Sequence, residues 1–337
     1  MSDMSHSTYI GSDTSCSISE SEAQTFNFPR GTGDRAGSLS FGMLLCLLLV
    51  PVFASGIAGC RTAHCTAPTA FGNLGHQVNS PRDDYAPVLQ DTATLIFTSN
   101  RVRHGGTGLQ GALDERQPAG LLLTMRLGMD WDEAQKYEIL FGTHRERELA
   151  TIAFPPVPNA LNALAYVTGC DGEPGGCDIL IVSANENEGA LNPGPGLNSP
   201  DWDGQPFVTA DGRRLYFVSD RSGGYGGTDI WYVDREESGF WGQPRNAGKQ
   251  VNTAGDEMSP FVDSASGSLF FASANPPNGL DIFVLDPDSE ERRLLPSPYN
   301  SPADDFTPFR QGNRLYLASN REGGCGGYDL YAFSIVD

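Results

Sequence analysis

Four carboxylates stand at one spacing from a recurring proline. Asp84, Asp203, Glu257 and Asp305 each lie three positions before Pro87, Pro206, Pro260 and Pro308. A second acid precedes three of them, at Asp83, Asp256 and Asp304, while Trp202 takes that place in the other. Carboxylates gathered away from bases suit a hard cation such as Ca²⁺, which wants several oxygen ligands. Two of them flanking a glycosidic bond would suit acid–base hydrolysis. The competing chemistry is internal: each carboxylate caps backbone N–H groups of its own turn or pairs with a nearby arginine, such as Arg101, Arg221 or Arg321. Residues that recur in a repeat usually hold that repeat together, which favours the internal role. Calcium is the one cofactor the acids suggest, and no metal centre is assigned.

The elements that carry these acids repeat as well. VNSPRDDYAPVLQDTATLIFTSNR from Val78, LNSPDWDGQPFVTADGRRLYFVSDR from Leu197, VNTAGDEMSPFVDSASGSLFFASAN from Val251 and YNSPADDFTPFRQGNRLYLASNR from Tyr299 overlay. In each, an Asn precedes the Pro by eight positions, at Asn79, Asn198, Asn252 and Asn300. A turn, an apolar run, a Gly-rich loop and a second run opening at Asp229, Asp281 or Asp329 follow, the pattern of strands joined by hairpins. Those Asp residues are expected to bind backbone groups of the loop before them. The first two segments start 119 residues apart, which leaves room for a fifth, degenerate unit. Its first clear strand is 163–168 and its next opens at Asp178. Five units of roughly 50 residues fill 73–337, the period of β-propeller blades, with six blades as the alternative. The segment 71–78 has no blade of its own and is expected to supply the outer strand of the last one, closing an all-β ring without free edges.

RLYFVSDRSGGYGGTDIWYVDR, preceded by SPDWDGQPFVTADG, resembles the WD40-like propeller repeat of the TolB type found in bacterial envelope proteins. The resemblance implies four-stranded blades and a role in binding other proteins.

Arg30 and Arg35 precede an apolar run over 41–53 and a small-residue stretch ending Ile57-Ala58-Gly59-Cys60. That order is a secretion signal, and its end resembles the bacterial lipobox, whose cysteine receives a diacylglycerol before cleavage. An uncleaved anchor over 41–59 is the other reading of this run. The chain then divides into an extension with signal peptide over 1–59, a tether over 60–72 and a propeller over 73–337. Arg61 after Cys60 favours the outer over the inner membrane under the enterobacterial sorting rule that the lipobox brings in.

Acids number 42 against 22 bases, and removing the five acids and two bases of 1–59 leaves a net charge of −17. Such a surface cannot neutralise a phosphate backbone, so nucleic acid is excluded as a partner. No G-x-S-x-G elbow occurs. His64, His76, His104 and His144 show no metal-ligand spacing. The Gly-rich loops join strands and open no helix, so they are not phosphate cradles. A glycosidase using channel-mouth carboxylates is the one enzyme reading that survives.

Cys170 and Cys177 flank a turn and could form a disulfide in an oxidising compartment or remain free thiols, and a further bridge between Cys65 and Cys325 is open. Trp202, Tyr225, Trp241 and Tyr328 fall in loops or near blade ends, where they could anchor a partner. The reading that results is a monomeric, noncatalytic envelope lipoprotein, lipid-anchored at Cys60, whose propeller binds an envelope protein or polymer. A sugar-binding or sugar-cleaving propeller is the alternative.

Overall fold

The Gly- and Asp-bearing punctuation between apolar runs becomes turns, and the runs become strands. The structure is a computed structural model that describes residues 72–101, 120–128, 130–137, 148–156, 163–170, 176–183, 190–276 and 279–335. Blade 1 holds β1 (Asp84–Leu89), β2 (Thr94–Ser99), β3 (Gly120–Leu127), β4 (Asp130–Trp131) and β5 (Gln135–Lys136). Blade 2 holds β6 (Glu148–Ala153), β7 (Ala163–Cys170), β8 (Cys177–Ser183) and β9 (Ala190–Leu191), and blade 3 holds β10 (Asp203–Val208), β11 (Arg214–Ser219), β12 (Asp229–Asp234) and β13 (Arg245–Asn246). Blade 4 holds β14 (Glu257–Val262), β15 (Leu269–Ala274), β16 (Leu280–Leu285) and β17 (Arg293–Leu294), and blade 5 holds β18 (Asp305–Gln311), β19 (Arg314–Ser319) and β20 (Asp329–Ser334). Every sheet is antiparallel with its strands in chain order, except that β5 of blade 1 pairs with β3 beside the short β4. The fold is thus an all-β propeller of five blades, and no helix occurs among the described residues.

The hairpins between inner and second strands turn on glycines in the left-handed region, Gly212, Gly267 and Gly312, with φ of 68°, 75° and 59°. In blade 1, Asp91 does this work instead, its Oδ1 accepting the N–H groups of Ala93 and Thr94 at 2.7 Å each. Those bonds hold the Asp91 carboxyl below its ordinary value.

The core lies between blades. Tyr166, Ile179 and Ile181 of blade 2 pack against Leu215, Phe217, Trp231 and Val233 of blade 3. Ile282 and Val284 of blade 4 likewise meet Leu315, Leu317 and Tyr331 of blade 5. Each sheet therefore buries both faces, as the continuous apolar runs of the sequence require.

The repeated Asn is a clip between neighbouring blades. Asn198 Oδ1 accepts the Ile179 N–H and its Nδ2 donates to the Ile179 carbonyl, both at 2.9 Å, so the amide pairs with the preceding blade's third strand as another strand would. Asn252 treats Ile230 in the same way, and Asn300 treats Ile282. Asn79 does so with Leu330 of the last blade, which joins the two ends of the ring. The outer position of blade 5 is filled from the N-terminal side: Asn73 bridges Tyr331, Leu74 N–H donates to the Leu330 carbonyl at 3.1 Å, and Ala332 N–H donates to the Gly72 carbonyl at 2.7 Å. The expected closure is present.

Blade 2 shows where spacing alone misleads. The run 163–168 is not its inner strand but part of β7, its second; the inner strand is β6, which lies before that run. Its bulge reads Thr151-Ile152 instead of X-Pro, so the landmark of the other four blades is missing.

Candidate functional site

All five inner strands carry a β-bulge at one level, and the bulged residue is a non-glycine in the left-handed region: Ala86, Thr151, Gln205, Ser259 and Thr307, with φ between 32° and 58°. In four blades proline follows, which supplies no N–H to the ladder at the bulge. These residues surround the central channel. Each left-handed residue costs about 1–3 kcal/mol unless its surroundings hold it, and here the neighbouring blade does so. Ala86 N–H donates to Thr307 Oγ1 (3.2 Å), Thr151 N–H to Thr98 Oγ1 (3.1 Å), Gln205 N–H to Thr168 Oγ1 (2.9 Å) and Ser259 N–H to Gln205 Oε1 (2.6 Å). The acceptor follows the second strand. Where that strand offers Thr98 or Thr168, its hydroxyl is used; where Val218 or Ala318 stands at the same register, the bulged Gln205 or Thr307 provides the oxygen. At this level the channel is a cavity of about 60 Å³, far below the ~300–1,000 Å³ of ordinary ligand sites. Phe261 packs between Phe207 and Phe309, with ring centroids 5.2 and 5.1 Å away, beside it.

The four recurring carboxylates open these inner strands, and all four are fully buried. Asp203 is the pattern: Oδ2 accepts the Ser199 N–H (2.5 Å) and hydroxyl (2.7 Å), while Oδ1 accepts Arg221 Nη2 (2.5 Å). Arg221 also donates to Ser219 Oγ and the Leu197 carbonyl, and lies over the Phe217 ring. Asp84 with Ser80 and Arg101 repeats this arrangement, as does Asp305 with Ser301 and Arg321. Blade 4 has Asn275 where the arginine stands elsewhere, and a different residue supplies the guanidinium. Arg292, from the turn before β17, lies over the Phe283 ring and reaches Ser273 Oγ at 3.2 Å and Glu257 Oε1 at 3.8 Å. Burial pushes the Glu257 carboxyl above its ordinary value, against hydrogen bonds from Thr253 and Ser273 and the charge of Arg292.

In blade 2 the position in register with Asp203 is Leu149, opposite Gly169, so this blade's inner strand does not carry the recurring acid. Cys170 and Cys177 form a disulfide, with Cα atoms 4.1 Å apart, one position beyond Gly169 and Asp178, which stand where other blades place a serine opposite the loop aspartate. Arg292 is the member that spacing misses.

The second acids fasten each connection to the preceding blade. Asp256 Oδ1 accepts the Thr228 N–H at 2.8 Å, Asp304 Oδ1 the Leu280 N–H at 2.9 Å, and Asp83 Oδ1 the Tyr328 N–H at 3.1 Å. The loop aspartates act as expected: Asp229 Oδ2 accepts the Tyr225 N–H at 2.5 Å, and Asp329 accepts the N–H groups of Cys325 and Gly326. Burial pushes the Asp329 carboxyl up to about 6 despite those donors.

Of the four candidate aromatics, Tyr225 is exposed, at 53%. Trp202 is buried and lies against Gly204, where any Cβ would collide with the indole. Trp241 is half-buried and donates from Nε1 to the Tyr166 hydroxyl at 3.1 Å. Tyr328, also half-buried, packs edge-on against Phe306 and donates its hydroxyl to Asp304 Oδ2 at 2.9 Å; burial, then the Asp304 charge, raises its pKa. These three hold blades together. Because strands alternate in direction, the Gly-rich loops and the acid-bearing connections open on one face, and Tyr225 stands on it. Among the described residues no three His, Cys, Asp or Glu side chains group as metal ligands. Cys60 lies outside the described residues.

No family model and no curated protein matches the chain. Similar solved structures include TolB from Acinetobacter baumannii, at 12% identity over 77% of this chain, with a TM-score of 0.41. The chain spans 56% of that protein's length. Endo-arabinase from Bacteroides thetaiotaomicron matches at 12% identity over 79% of this chain and 98% of its own, TM-score 0.48. A puromycin-hydrolyzing peptidase of Mycobacterium tuberculosis matches at 13% identity over 81% of this chain and 46% of its own, TM-score 0.42. At these identities no residue role passes from those proteins to this chain.

Proposed function

We propose that this protein is a noncatalytic lipoprotein of the bacterial envelope whose propeller presents one loop face to a protein partner. The observation that carries this reading is the engagement of the recurring carboxylates. Asp84, Asp203, Glu257 and Asp305 are buried, and each accepts hydrogen bonds from a serine or threonine and is paired with an arginine of its own blade. A glycosidase needs two carboxyl groups open to substrate, and a Ca²⁺ site needs carboxylate oxygens free to turn toward the ion. With no cofactor required, recognition falls to the loops, and Tyr225 is the exposed aromatic among the candidates. The anchoring half of the reading rests on the lipobox-like end of the apolar segment, Ile57-Ala58-Gly59-Cys60.

Cross-linking of the tagged chain in native envelopes, followed by mass spectrometry, tests this. One recurrent protein is expected, with capture falling at least severalfold in Tyr225→Ala. Release of reducing sugar from an envelope or plant polysaccharide by the purified chain would overturn the noncatalytic reading, and an unmodified Cys60 would overturn the anchor.

A further inference from the structure

The channel belt is incomplete at one place. Four of the five bulged residues give their backbone N–H to a side-chain oxygen of the neighbouring blade, and Thr307 of blade 5 is the fifth. The blade before it places Ala272 at the register where a threonine hydroxyl serves elsewhere, and the hydroxyl of its bulged Ser259 turns to Gln205 Oε1 at 3.2 Å. Among the described residues no side-chain oxygen accepts the Thr307 N–H. The Thr307 hydroxyl accepts from Ala86 and has no acceptor for its own proton there. Gln205 adds two donors. The Ser259 N–H fixes its Oε1, so Nε2 is the other end of the amide; it meets no acceptor among the described residues and is not sealed off by protein. Thr307 and Gln205 are each only 6% exposed, and both line the channel cavity. Buried donors left without acceptors are costly, so the cavity wants a hydrogen-bond acceptor.

The walls define the rest of the guest. Every lining residue is uncharged. An anion would find donors but no cation, in a chain of net charge −20, so the acceptor must be neutral. Around the donors stand proline rings and, one step nearer the hairpins, Phe207, Phe261 and Phe309, while blades 1 and 2 place the smaller Val88 and Ala153 at that step. Val88, Phe207 and Phe309 are half-buried, whereas in their blades the residues from the start of the inner strand to its bulge are buried, so the cavity opens toward the hairpins. Its volume of about 60 Å³ is under half that of a cavity of roughly 150 Å³ that admits benzene, which limits the guest to a few heavy atoms. We propose that this end of the channel binds a small neutral amide of acetamide size, its carbonyl oxygen on the Thr307 and Gln205 donors and its methyl group against Val88 and the phenylalanines. The Ser259 hydroxyl, having given its proton to Gln205, keeps lone pairs for the N–H of that amide. The site lies at the opposite end of the channel from the Tyr225 face and does not depend on the partner reading.

The test is a titration of the full-length chain with acetamide, followed by NMR at the Thr307 backbone N–H and the Gln205 side-chain NH₂. Saturable shifts of both are expected, with a Kd on the order of 1–10 mM, and acetate should bind at least tenfold more weakly. Gln205→Glu keeps the acceptor for Ser259 and removes both donors, and should weaken acetamide at least tenfold. Val88→Phe leaves every donor in place and fills the open side as the other blades do, and should abolish binding without lowering the melting temperature. Acetate binding as well as acetamide would overturn the neutral class. Shifts that do not saturate, a cavity holding ordered water only, or a Val88→Phe variant that binds like the parent would overturn the site.

Discussion

At the scale of single residues, the recurring acids act on their own blades, and their energetics follow from burial. Asp203 is out of solvent and Arg221 nearly so, with 9% of its side chain exposed. Removing one partner from such a pair strands the other charge. Arg221→Ala is therefore expected to cost about 3–5 kcal/mol in urea unfolding, while Arg245→Ala, whose pairing with Asp234 is largely exposed, should cost under about 0.5 kcal/mol. Asp329 supplies a pH dependence of opposite sign to that of most carboxylates. Its folded pKa of about 6 lies above the ordinary 3.8, so between those values the folded state holds a proton that the unfolded chain has released. Its contribution to stability is full below pH 4 and is lost as pH rises through 6. In Asp329→Asn the slope of unfolding free energy against pH over that window should become more positive than in the parent, by at most about 1.4 kcal/mol per pH unit. An unchanged slope would show that the carboxyl titrates normally.

At the scale of elements, the bulged inner strands and the Asn clips make five separate sheets into one ring. Thr168 ties two bulged residues of the channel belt together, accepting the Gln205 N–H and sharing a hydrogen bond with the Thr151 hydroxyl at 2.7 Å. Thr168→Val keeps the shape, removes both bonds and leaves a buried N–H without its acceptor. A loss of about 1–3 kcal/mol is expected in denaturant melts. Asn79→Ala removes the clip that joins first and last blades, so amide exchange at Leu330 should accelerate relative to Ile230, which Asn252 still holds. Equal acceleration at both would mean that the ring does not open at its closure. The strands themselves are legible from pattern, since alternating and continuous apolar runs bounded by Gly and Asp specify them directly. β6 is not, because it lacks both the repeated proline and the repeated acid, Leu149 standing where Asp203 does, and strand pairing with β7 rather than any local residue defines it.

At the scale of the whole molecule, a ring closed on both sides of Leu330 presents loops on a rigid frame, which suits recognition without chemistry. Tyr225→Ala should leave the melting temperature within about 2 °C of the parent, because the side chain is exposed and no packing is lost, while partner capture falls. A large drop in stability would instead make Tyr225 part of the frame. What the sequence by itself determined is what depends on periodicity: the five units, the all-β class, the closing segment and the recurrence of the acids. Which of several chemistries the acids perform was decided only by the tertiary structure. Solvent access and the position of a guanidinium are set by the packing of neighbouring blades, and the same Asp or Glu at the same spacing would serve a ligand if turned outward. Arg292 shows the physical reason most directly, since an arginine from the opposite side of blade 4 fills a site that sequence spacing assigns to Asn275.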